Sequence, residues 1–162
     1  MPTDTSESTS GTQPNVLLSV VADSDGAAAG AEVRFASGRR WAFASDGTAP
    51  SPVEAVLASL AACQVITYHY WAARLGIALE RCSVRAEGIF DPRGFQGDPA
   101  ALSIGYQSVQ LVVTIGGSEA PERYEELGDS VDRHCPVHSS LTAATPIERQ
   151  LCLEQVAPLG GH

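Results

Sequence analysis

Two cysteines carry most of the chemistry this sequence offers. Cys63 lies in the middle of an apolar run, and Cys135 stands directly before Pro136 with His134 and His138 on either side. A thiol acts as a nucleophile through its thiolate, the form favoured at the positive end of a helix. Cys135-Pro136 is an N-cap and proline signal, so a short helix over 137–142 is expected, with Cys135 at its start and its pKa lowered. Cys63 has no helix end beside it and needs a cation from elsewhere. Its helical neighbours Val56, Ser59, Leu60, Thr67 and Tyr70 form a mixed wall able to border an apolar substrate. Free cysteine is among the most buried residue types, so Cys82 and Cys152, inside strand patterns, read as core. For Cys63 and Cys135, local context alone leaves packing and catalysis both open. His134, Cys135 and His138, with Cys63, also raise a metal site. Paired Cys-x-x-Cys spacing is missing, and histidines here can equally tune a thiol or cap a helix, so no metal ligand is assigned.

The element that must position Cys63 runs from Ser51 to Gly76. Ser51 is a favoured N-cap, Pro52 suits the first helical position, and Glu54 can close a capping box. Gly76 supplies the stop. Val53, Val56, Leu57, Leu60, Ala61, Val65 and Ile66 make most of the circumference apolar, which predicts an interior helix. The late cluster Tyr68, His69, Tyr70 and Trp71 reads as dimer packing or pocket wall. Before this helix, strands are expected at 16–22, ended by the 23–26 turn cluster, and at 32–36 and 40–44, the last two forming a hairpin around Ser37-Gly38-Arg39. After it, 79–89 and 104–115 predict a long hairpin around a Gly/Pro/Asp loop at 91–99. Tyr124, Leu127 and Val131 at helical spacing predict a second helix leading to Cys135, and 147–156 a closing strand. Segregated strands and helices give an α+β fold.

The 162 residues make one domain, expected over 16–156, with a disordered leader at 1–15 and a tail at 157–162. The net charge of −9 argues against sequence-independent nucleic-acid binding, which needs a basic surface. No long apolar span or targeting signal is present, so a cytoplasmic protein without membrane attachment is expected. In that reducing compartment four scattered cysteines are thiols, and any disulfide is transient and functional.

Ser-Pro-Val-Glu, then Cys63, then His134-Cys135-Pro136-Val137-His138 far downstream resembles the OsmC/Ohr family of thiol-dependent hydroperoxide reductases. The resemblance runs from about Val16 to Val156. It implies an OsmC-like fold and an intertwined homodimer, with two central helices wrapped by sheets. It also implies a cofactor-free peroxidase in which Cys63 attacks the hydroperoxide and becomes a sulfenic acid. Cys135 would resolve it as a Cys63–Cys135 disulfide, and an external small or protein dithiol would restore both thiols. In the family's organic hydroperoxide branch a glutamate directly follows the motif proline and orients an arginine that stabilises the thiolate. This chain has Val53 there and Glu54 one position later. On a straight helix Glu54 points about 180° away from Cys63, which suits a cap better than catalysis. Arg40, beside Trp41, is the expected thiolate partner, with Arg34 and Arg39 as the other choices; a solvated charge is the commoner fate of arginine. The chain therefore resembles the broader OsmC-like group more than the organic hydroperoxide branch. The alternative function is a non-catalytic small-molecule-binding or redox-sensing protein on the same scaffold.

Overall fold

A computed structural model describes residues 15–24 and 30–153. The leader at 1–15, except Asn15, the tail at 157–162 and part of the 23–26 turn lie outside the described residues.

The chain divides into two compact units, 1–55 and 56–162. In the first, β1 (Val20–Asp23), β2 (Gly30–Phe35) and β3 (Arg40–Ala44) form an antiparallel sheet in that order. The hairpin closes at Ser37-Gly38-Arg39, where Phe35 N–H donates to the Arg39 carbonyl at 2.9 Å and Gly38 takes a φ of 80° that side chains resist. β1 is shorter than expected. Val16, Leu17 and Leu18 lie exposed before it, and β1 pairs with β2 only from Val20 onward.

α1 (Pro52–Leu75) starts at the end of the first unit and carries the chain into the second. Its first turn is the expected capping box. Glu54 N–H donates to Ser51 Oγ at 3.1 Å, and Ser51 N–H donates to Glu54 Oε2 at 2.8 Å. Gly76 ends it at a φ of 64°. Only Leu60, Gln64, Thr67, Tyr68 and Ala72 are fully buried, so α1 is not interior all round in the single chain. Val56, Ile66 and Tyr70 face outward on another side.

The second unit continues with β4 (Arg81–Phe90) and β5 (Tyr106–Gly116), an antiparallel pair in register from Arg81↔Gly116 to Ile89↔Ser108. The loop between them is not wholly irregular. Asp91 caps a four-residue helix, α2 (Pro92–Phe95), by accepting from Arg93 N–H at 3.0 Å. α3 (Pro121–His134) and α4 (Pro136–Thr142) follow. Tyr68, Ala72 and Ile77 pack with Leu127 and Val131 of α3 as the core, and Cys82, Val84, Val113 and Ile115 of the β4–β5 pair close over it. Side-chain bonds lock α3 to the end of α1: Arg123 donates to the Leu75 carbonyl at 2.8 Å, and Tyr124 donates to the Ala78 carbonyl at 2.8 Å. Gly117 permits that approach, because a Cβ there would stand 2.5 Å from the Ala78 carbonyl oxygen.

The closing strand expected over 147–156 does not form among its described residues, 147–153. Ile147, Leu151 and Leu153 are strongly exposed. A strand needs a neighbour to pair its backbone, and this segment finds none within the described chain. No helix among the described residues is long and apolar enough to cross a membrane.

Candidate active site

Cys63 and Cys135 are brought together by the packing of α1 against α3. Cys63 sits half-buried in the middle of α1. Cys135 is the joint between two helices: its N–H donates to the Val131 carbonyl at 2.9 Å to end α3, and its own carbonyl accepts from Ser139 N–H at 3.0 Å to begin α4. Its extended backbone, with ψ of 113°, is the conformation a following proline requires. The Cys135 side chain is fully buried and interacts directly with that of Cys63. Both are free thiols.

The expectation of a lowered Cys135 pKa is overturned. Burial pushes this thiol up, and the adjacent Cys63 sulfur pushes it further, because a second negative charge beside the first is unfavourable. The His138 amide eases the anion in the opposite direction, although Cys135 makes no full side-chain cap bond and α4 has only seven residues. Thr67 completes the group. Its hydroxyl donates to the Cys63 carbonyl at 2.7 Å, and its side chain beside the Cys135 sulfur eases the anion. Cys135 therefore keeps its proton at neutral pH.

His134 and His138 are tied to the backbone rather than to the thiols. A carbonyl can only accept, so His134 Nδ1 donates to Ser130 O at 2.7 Å, and His138 Nδ1 donates to Asp132 O at 3.2 Å. Trp71 stacks on His134 at 4.1 Å between ring centroids, with the Arg74 guanidinium 5.5 Å from the Trp71 ring. Among the described residues no group of three or more His, Cys, Asp or Glu side chains is placed to hold a metal ion. Tyr68 is core: burial, with the Asp132 carboxylate and Cys82 nearby, pushes its phenol up to about 12. Burial likewise pushes the Cys82 thiol up, which suits packing rather than nucleophilic chemistry.

The two supporting charges are engaged in local pairs. Glu54 serves the capping box, and its bonds from Ser51 hold the carboxyl below its usual range. Arg40, on β3 in the first unit, pairs with Glu32 of β2 at 3.1 Å. Arg34 pairs with Asp23 at 2.6 Å. Sequence reasoning missed Gln64, beside Cys63. A carboxamide in an apolar run was its only signal, and the structure buries it completely with Nε2 unpaired.

A mixed α+β fold whose long helix carries a thiol against a second, buried thiol defines a class, and comparison with known proteins places the chain in it. The sequence profile of OsmC-like proteins matches residues 45–149, and the chain belongs to the OsmC-like family. The fold is similar to an OsmC-like protein from Mycoplasma pneumoniae, with a TM-score of 0.66 at 18% identity over 82% of this chain and 91% of that one. It is also similar to an organic hydroperoxide resistance protein OsmC from Legionella pneumophila (TM-score 0.61, 19% identity, 80% and 91% covered). A third similar structure is the organic hydroperoxide resistance protein OhrB of Bacillus subtilis (TM-score 0.54, 18% identity, 80% and 93% covered). No curated protein sequence matches the chain significantly.

Proposed function

We propose that this protein is a thiol-dependent peroxidase that reduces organic hydroperoxides, a redox role in peroxide resistance. The observation that carries the reading is the meeting of Cys63 and Cys135, far apart in sequence, as neighbouring free thiols on two packed helices. The Cys63 sulfur attacks the terminal peroxide oxygen. An S–O bond forms, the O–O bond breaks, and the alkoxide takes up a proton and leaves as the alcohol. The Cys135 sulfur then attacks the sulfenic sulfur, forming the disulfide, and its proton leaves with the oxygen as water. Two electrons have passed from the thiols to the peroxide, and an external dithiol returns them by exchange. The apolar character of the helix that carries Cys63 is compatible with organic peroxides. No bound cofactor takes part in this scheme. Titration after one equivalent of an alkyl hydroperoxide is expected to find two thiols lost and a Cys63–Cys135 disulfide by peptide mapping. Survival of all four thiols in excess peroxide refutes the reading.

A second reading, a non-catalytic binding or redox-sensing protein, is favoured by Val53 and by the commitment of Glu54 to the cap. It predicts slow oxidation and tight binding of an apolar small molecule. Oxidation at the rate of a good thiol peroxidase excludes it.

The same proposal includes a homodimer. Ile66 is 70% and Tyr70 56% exposed on an apolar helix, a costly arrangement in water, and Ile147, Leu151 and Leu153 stand exposed after α4. A second copy can cover the helix face and pair the trailing segment. Ile66→Glu is expected to halve the mass measured by sedimentation while leaving the far-ultraviolet circular dichroism of the chain unchanged. A wild-type protein sedimenting at 16.9 kDa contradicts the dimer.

A further inference from the structure

Gln64 is the one side chain of the described structure whose buried donor lacks a partner. Its residue is 1% exposed, and Nε2 makes no hydrogen bond among the described residues. It lies at the centre of the buried face of α1, flanked one turn away by Leu60, Thr67 and Tyr68, all buried. Leaving a buried donor unmade costs the full desolvation of that group, so native proteins rarely retain one without cause. Leucine or methionine would fill the position without the cost.

In the chain it stands beside the residues of the thiol pair. Cys63 precedes it in the chain, Thr67 follows it by less than one turn, and Cys135 is buried against both. Sulfur is a weak acceptor, and the Thr67 hydroxyl, which donates to the Cys63 carbonyl at 2.7 Å, takes no bond from Nε2. The proposed reaction creates a new, stronger acceptor one residue away in the chain. The oxygen taken from the peroxide becomes bonded to the Cys63 sulfur, on the residue adjacent to Gln64.

We propose that Gln64 is the hydrogen-bond donor for that oxygen, first as the O–O bond breaks and then in the Cys63 sulfenic acid. The inference rests on the peroxidase reading and adds a catalytic residue to it. The carboxamide neither gives nor takes a proton. The S–O bond forms, the electron pair of the O–O bond leaves with the alkoxide, and the alkoxide is protonated to the alcohol. Nε2 meets the negative charge spread over the two oxygens. A donor already desolvated and held in place reorganises little at the moment of reaction, which is the condition for a large electrostatic effect.

The test is Gln64→Met, which keeps length and helix propensity and removes the donor. Reduced Gln64→Met is expected to melt no lower than wild type, because an unpaired polar group has been removed. Single-turnover oxidation of Cys63 by tert-butyl hydroperoxide is expected to slow on the order of 100-fold. Reduction of the preformed disulfide by dithiothreitol, which involves no peroxide oxygen, should be unchanged. A variant oxidised within twofold of wild type overturns the inference and leaves the peroxidase reading standing. Wild-type protein that loses no thiol to peroxide fells both. A second measurement keeps Gln64 in place: in Cys135→Ser, one equivalent of hydroperoxide should shift the Gln64 side-chain amide protons downfield in the nitrogen-15 spectrum. An unmoved amide beside a sulfenic acid trapped by dimedone overturns the inference.

Discussion

Cys63→Ser protein is expected to show no measurable hydroperoxide turnover, a loss on the order of 10⁴-fold or more, as for removal of an enzyme's nucleophile. Cys135→Ser is expected to behave differently. It should reduce one equivalent of hydroperoxide and stop, with Cys63 held as a sulfenic acid that dimedone traps. The contrast follows from burial. Cys63 is half-buried and reachable, whereas Cys135 is fully buried and its thiol is pushed up by that burial and by the Cys63 sulfur. In the proposed reaction the first step is therefore assigned to Cys63 and the second to Cys135. Burial also sets a pH dependence for the second step. The attacking form of Cys135 is its thiolate, whose fraction grows as pH rises toward a pKa lying above the ordinary thiol range. In wild type, disulfide formation after a peroxide pulse is expected to accelerate from pH 6 to pH 9, read by stopped-flow tryptophan fluorescence from Trp71, whose ring stacks on the neighbouring His134. A pH-independent second phase, or a Cys63→Ser protein that still turns over, contradicts this order of events.

The parts of this structure that sequence reading reached are those decided within a few residues. Ser51 and Glu54 are three apart, so their reciprocal bonds depend on one helical turn and nothing beyond it. The alternation of Cys82, Val84 and Ala86 with charged residues specified β4 for the same reason, because a half-buried sheet face imposes a period of two. The segment over 147–156 shows the limit. Its composition favours a strand, but the strand state needs a partner backbone, and no local signal says where that partner is. Cys135 shows a second limit. Its Cys-Pro context correctly placed a helix start, yet burial and the neighbouring Cys63 sulfur outweigh the easing by the His138 amide and the Thr67 side chain and push its pKa up. Asp91-Pro92 carried the same cap and proline signal as Cys135-Pro136, but only a single turn followed, short enough to pass as loop. The neighbourhood of Cys63 and Cys135 rested on the family resemblance until the packing of α3 displayed it; spacing alone contains no such information.

That packing turns on one residue, and Leu127→Ala tests it. Leu127 is 0% exposed and sits with Val131 between Tyr68, Ala72 and Ile77. Truncation removes three heavy atoms from a site walled by two helices and the β4–β5 pair, which can close only partly over the space left. The expected loss is about 3 to 4 kcal/mol, a large share of the roughly 5 to 15 kcal/mol that holds a domain folded. The melting temperature should fall by roughly 10 °C. The exposed Glu125, two residues earlier on α3, supplies the control: Glu125→Ala should change stability by less than about 0.5 kcal/mol. The consequence for chemistry is specific. α3 presents Cys135 to Cys63, while Cys63 belongs to α1 and its capped first turn is independent of Leu127. Under conditions where Leu127→Ala remains folded, oxidation of Cys63 should keep its rate while disulfide formation slows, so that dimedone captures a larger fraction of sulfenic acid than in wild type. Equal slowing of both steps means that the packing of α3 also supports the peroxide-reacting thiol. Unchanged steps together with a full loss of stability mean that the position of Cys135 is held by the Val131 and Ser139 backbone bonds rather than by the core beneath them.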